Sequence, residues 1–182
     1  MARSKTASFW VSQTITLPAA TAAGDRIQGT IDLSAYINVP TGQCVAIEEV
    51  DYIHQADADF GGAVRNMLSA NGSISAQLTD LNQGAAFVRA DNLSLVSSSA
   101  LNIDQTNCIA TEAADFYPDN FGKLEESRYV VNDTLYLVAG PDNANLAATI
   151  PVYVTCRIKM RVIKLEKQDW MAIAIQSTAA DN

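Results

Sequence analysis

Histidine is nearly missing from this sequence: His54 is the single imidazole among 182 residues. One imidazole excludes sites that need two or three, the common catalytic zinc centres among them. A Ser-His-Asp or Cys-His arrangement with His54 as base stays formally open. Yet there is no Gly-x-Ser-x-Gly elbow, and no cysteine lies in a nucleophile context. A histidine that closes a β-strand more often serves packing or the surface than catalysis. Phosphate-cradling loops are missing as well, with neither Gly-x-Gly-x-x-Gly nor Gly-Lys-Ser/Thr present.

Charge is scarce too. Charged residues make up 18% of the chain, against roughly 25% in an average soluble domain. Ser, Thr, Asn, Gln and Ala take their place, and such groups are cheaper to dehydrate in extensive contact with a partner. The net charge of −8 argues against a general nucleic-acid binder, which draws on a basic excess. No stretch reaches the ~20 apolar residues of a membrane span. Met-Ala-Arg-Ser-Lys at the start has no apolar run behind it, so no signal peptide is expected. Without one, the sequons at Asn71, Asn92 and Asn132 carry no weight. Cys44, Cys108 and Cys156 are odd in number and contain no Cys-x-x-Cys pair, so they are expected to be reduced core thiols.

What is there alternates with period two. Phe9, Val11, Ile15 and Leu17 oppose Ser12, Thr14 and Thr16; Ile27, Gly29, Ile31 and Leu33 oppose Arg26, Gln28, Thr30 and Asp32. Gln43 to His54 is a long strand whose phase shifts near Glu48 and Glu49, which a β-bulge or two short strands would explain. Further strands are expected at 73–79, 87–96, 108–111 and 128–138, and the firmest at Val152 to Ile163. Turn residues separate most of them, Gly140-Pro141-Asp142-Asn143 included. Helix signals are few. Ala63 to Ala70 fits one or two turns, and Glu166 to Gln176 fits a short helix or a strand. About eight evenly spaced strands predict an all-β, antiparallel β-sandwich, an eight-stranded jelly roll before a barrel. Residues 1–182 are expected to form one domain, with a short basic N-terminal arm (Arg3, Lys5) and a C-terminal extension after about 165.

Three places invite chemistry. Asp57-Ala58-Asp59 before Gly61-Gly62 offers oxygens to Ca²⁺, but Leu68 stands where an EF-hand needs its bidentate Glu, so solvated acids are the better reading. Glu48, Glu49 and Asp51 contain a formal glycosidase pair, though charges at a strand edge explain them more simply. The closing strand sets Val152, Val154, Cys156, Ile158, Met160 and Val162 on one face and Tyr153, Thr155, Arg157, Lys159, Arg161 and Ile163 on the other. Like charges at Arg157, Lys159 and Arg161 stand roughly 7 Å apart, within a Debye length, and repel unless something negative is near. Either carboxylates such as Glu125, Glu126 or Asp133 pair with them, or the face meets an acidic surface: another subunit, nucleic acid or anionic lipid. These three residues are the candidate interface.

The overall layout resembles the viral single jelly-roll capsid proteins. It combines about eight strands, Asn-, Ala- and Thr-rich connections, an Arg3/Lys5 arm on an acidic body, and a closing hairpin of Tyr129 to Val138 followed by Val152 to Leu165. The resemblance implies a sandwich of two four-stranded sheets that self-associates into a shell, located in a virion assembled in host cytoplasm. The family has no shared catalytic residues, and neither a cofactor nor a small-molecule substrate is expected. Copies of the chain, and other capsid proteins, are the implied partners. The arm is weakly basic, which sets genome contact in doubt and leaves room for an inner membrane or separate packaging proteins. The alternative is a carbohydrate- or ligand-binding β-sandwich with Trp10, Tyr36, Tyr52 and Tyr117 as stacking rings. An adhesin or tail subunit of another assembly is a third class.

Overall fold

A computed structural model describes residues 2–57, 60, 64–113 and 127–179. Ten strands are found among them: β1 (Arg3–Ser4), β2 (Phe9–Leu17), β3 (Ile27–Asp32), β4 (Gln43–Ala56), β5 (Gly72–Thr79), β6 (Leu95–Asp104), β7 (Ile109–Ala113), β8 (Arg128–Val130), β9 (Thr134–Asp142) and β10 (Val152–Lys164). One helix follows, α1 (Lys167–Ala179). Two sheets face each other. In the first, β2 and β1 lie in line along one edge of β10, and β4 and then β8 follow on the other side. In the second the order is β3-β9-β5-β6-β7. All pairings are antiparallel.

Leaving aside β1 and β7, the orders β2-β10-β4-β8 and β3-β9-β5-β6 are those of a jelly roll, eight strands wound as two Greek keys. The expected antiparallel sandwich is therefore present, with one additional strand at an edge of each sheet. Its core is the alternation made physical. Ile15, Leu17, Val45, Ile47, Val50, Val154, Ile158 and Met160 of the first sheet meet Ile31, Ile74, Leu78, Leu135 and Leu137 of the second. A polar tie crosses the same gap, where the Tyr52 hydroxyl and Ser97 Oγ lie 2.6 Å apart, both buried.

The phase shift in β4 is a bulge within one continuous strand. Lys159 pairs with Glu49 but Met160 pairs with Ile47, so Glu48 is the extra residue. Val45 and Ile47 before it, and Val50 and Tyr52 after it, consequently share the core face.

Several expectations need correction. Tyr129 to Val138 and β10 make no hairpin. The chain breaks at Asn132-Asp133, so that β8 joins the first sheet, β9 the second, and β10 the first again. Residues 87–93 form no strand. The Gln77 side chain holds both the N–H and the C=O of Val88, at 2.8 and 3.0 Å, in place of a ladder. The strand begins instead at Leu95, in a serine-rich run with little apolar alternation. Gly140, Pro141 and Asp142 continue β9, and the turn comes at Asn143, whose φ is 66°. A Cβ on Gly140 would stand 2.1 Å from the Asp25 carbonyl oxygen, so only glycine fits there. Cys108 is exposed in a turn, whereas Cys44 and Cys156 are buried.

Candidate interaction surface

In an antiparallel ladder, paired residues project to the same face. The register places Trp10, Lys159 and Glu49 side by side on the outer face of the first sheet, with Ser12, Arg157 and Asp51 as the next row. Thr14, Thr155 and Ile53 form a third row, in which the two threonine hydroxyls lie 2.9 Å apart. This face ends where Cys44, Ala46, Ile163 and Leu165 become apolar, because α1 covers them with Trp170, Ile173 and Ala174. Helix α1 resolves the ambiguity at Glu166 to Gln176, and it lies over the sheet that carries the candidate cations.

Each of those cations has a local partner. The Arg157 guanidinium lies 4.8 Å from the Trp10 ring centroid and the Lys159 ammonium 5.9 Å from it. Lys159 Nζ also reaches Glu49 Oε2 at 3.5 Å. Arg161 Nε pairs with Oε1 of Glu48, whose Oε2 accepts a 2.7 Å hydrogen bond from Ser8 Oγ. The bulge thus supplies the carboxylate for Arg161 and puts it under partial cover. Of the carboxylates named from sequence as partners, Glu125 and Glu126 lie outside the described residues, and Asp133 is engaged by Thr134. The compensating charges come from β4, which antiparallel pairing with β10 brings opposite the cations.

The outcome is a surface where three cations on β10 face Glu48, Glu49 and Asp51 on β4, with the Trp10 indole on their β2 side. Trp10 is 42% exposed, and Arg157 is the most open of the three cations. Trp and Arg are the residue types that protein contacts favour at their centres.

The remaining candidates do not converge. His54 points inward between Tyr52 and Ala56, its Nε2 has no hydrogen-bond partner among the described residues, and burial pushes its pKa down to about 4. Asp57 accepts a 3.1 Å hydrogen bond from the Tyr153 hydroxyl, while Asp59 lies outside the described residues. Among the stacking rings, Tyr36 packs on Phe9 with centroids 5.1 Å apart and Tyr52 is buried. Trp10 faces outward, and Tyr117 lies outside the described residues.

A feature the sequence did not announce is the pair Asp80–Arg128, 3.2 Å apart at the end of the sandwich. Burial raises the Asp80 carboxyl's pKa, and the Arg128 guanidinium pulls against that rise. The two residues are 48 apart in sequence, and no local pattern marks so distant a pair.

No protein-family model and no curated protein sequence matches the chain. Among the solved structures similar to it are viral capsid proteins. VP1 of Trichodysplasia spinulosa-associated polyomavirus, in complex with 3′-sialyllactose, is 8% identical, with 90% of this chain and 98% of that one covered and a TM-score of 0.37. Turnip yellow mosaic virus is 7% identical, with 90% and 99% covered and a TM-score of 0.29. Desmodium yellow mottle tymovirus is 7% identical, with 88% and 91% covered and a TM-score of 0.30. The jelly-roll assignment itself rests on the strand order of this chain.

Proposed function

We propose that this chain is a non-catalytic structural protein that associates with copies of itself to form a shell of the viral-capsid kind, and so belongs in a virion. The observation that carries the reading is the jelly-roll strand order, β2-β10-β4-β8 over β3-β9-β5-β6. Jelly rolls also host lectins and cupin enzymes, so the fold needs a second argument. The sequence has a single histidine, so it lacks the imidazoles a cupin-type metal site requires. Trp10, Tyr36 and Tyr52 point to three different surroundings and form no common sugar platform. What the outer sheet face does offer is a contact centre, Trp10 with Arg157, Lys159 and Arg161.

That centre is charge-balanced, so the partner it suits is a neutral-polar protein surface more than a polyanion. Copies of the chain are such a partner; genome and inner-membrane contact draw no support from a face whose cations already meet carboxylates. The test is to change Arg157, Lys159 and Arg161 together to Gln and follow assembly by light scattering over a salt series. Weaker assembly is expected from a variant that stays folded by circular dichroism, its melting temperature lowered only by the loss of the Glu48–Arg161 pair. Identical assembly and identical salt response would remove this face from the interface.

A further inference from the structure

The first sheet carries a different kind of surface at each end of β10. Beyond Lys164 lies a groove of about 350 Å³ walled by Val39, Pro40, Trp170 and Met171. Val39 is 55% exposed and Met171 59%, so the apolar walls are open. A hollow of about 550 Å³ adjoins it, lined by Arg3, Lys164 and Lys167 with Glu166 as the opposing charge. This is an apolar recess with a cationic rim, on a chain whose net charge is −8.

At the other end, next to Val152, the chain leaves β4 and presents Phe60, 59% exposed. Its ring lies 6.4 Å from that of Tyr153, and the Tyr153 hydroxyl holds the Asp57 carboxylate. This end is an aromatic knob beside the Asp57 carboxylate. Thirteen residues of extended strand separate the two ends by roughly 40 Å, so knob and recess of one molecule cannot meet.

The geometry points to a head-to-tail contact between copies, in which Phe60 of one molecule enters the Val39–Trp170–Met171 groove of the next and Asp57 faces its Arg3, Lys164 and Lys167. This contact rests on the self-assembly reading and gives it a direction. It is heterologous, so it propagates into rings or curved arrays instead of stopping at a two-fold dimer. An anionic lipid surface would also suit a cationic-rimmed apolar recess, but it would leave the exposed Phe60 and the Asp57 carboxylate without a use. Aromatic, Met and Trp side chains at the centre with charges around them are the usual anatomy of a protein–protein contact.

The test uses two variants of the full chain: Phe60→Arg, which spoils the knob, and Lys164→Glu with Lys167→Glu, which spoils the rim. Each alone is expected to weaken association at least about thirtyfold, read by sedimentation velocity. Mixed at equal concentration they are expected to pair through the one remaining knob and recess, giving a mass above that of either variant alone and below that of the wild type. One keeps an intact recess and the other an intact knob, so that result also shows that both variants are folded. If the wild type assembles and both variants assemble equally well, the head-to-tail contact is wrong while self-assembly stands. A wild type that stays monomeric overturns both. Binding of the wild type to phosphatidylserine vesicles, lost in the lysine variant while assembly is unaffected, would give the recess to lipid and also overturn the contact.

Discussion

His54 shows how one buried atom couples the fold to pH. Folded, it takes a proton only below about 4, because burial penalises the imidazolium; unfolded, it does so below its ordinary 6.5. Between these values the unfolded chain binds more protons, so stability is full above 6.5 and falls as the pH drops toward 4. The shift corresponds to roughly 3 kcal/mol at most. Urea unfolding of wild type and His54→Leu at pH 7 and pH 4 checks this. The wild type loses more stability on acidification than the variant, and equal losses would contradict the assignment. Asp80 works with the opposite sign. Replacing Arg128 with Met leaves a buried carboxylate alone and is expected to cost about 3 kcal/mol at pH 7. The cost shrinks as the pH falls, because a raised pKa lets Asp80 become neutral sooner than an ordinary carboxyl.

At the scale of elements, the bulge in β4 makes the sharpest prediction. Deleting Glu48 joins Ile47 directly to Glu49, and both halves of the strand keep their register with β10. The expected loss is that of the Glu48–Arg161 pair and its hydrogen bond, about 1–3 kcal/mol. Deleting Asp51 instead reverses the faces on one side of the deletion and is expected to abolish folding, as far-ultraviolet circular dichroism would show. Helix α1 gives a second test. It covers Cys44, whose thiol burial pushes up to about 12, while Cys156 is buried and Cys108 is exposed. One thiol of the native protein should react quickly with a disulfide reagent, and Trp170→Ala should add a second.

These elements also mark where sequence reading succeeds and where it stops. Strands β2, β3, β4 and β10 were legible because each buries one face, and burial imposes period two on the residues. The bulge was legible for the same reason, as a phase slip. Strand β6 was not: its buried residues include Ser97, Ser98 and Ser99, which carry no apolar signal. The apparent closing hairpin misled because adjacency in sequence says nothing about which sheet a strand joins. Likewise the cations of β10 were readable, but their partners Glu48 and Glu49 are supplied by a strand more than 100 residues earlier.

For the whole molecule, the jelly-roll order and the outer face centred on Trp10 and Arg157 lead to one expectation, that the isolated chain builds larger bodies. Weak individual contacts suffice when each copy meets several neighbours, so concentration and salt govern the outcome. The direct measurement is the solution mass of the purified protein across a range of concentrations and salt, followed by electron microscopy of the heaviest fraction. Closed shells or large regular oligomers are predicted. A strict monomer at high concentration, under every salt condition, would contradict the structural role.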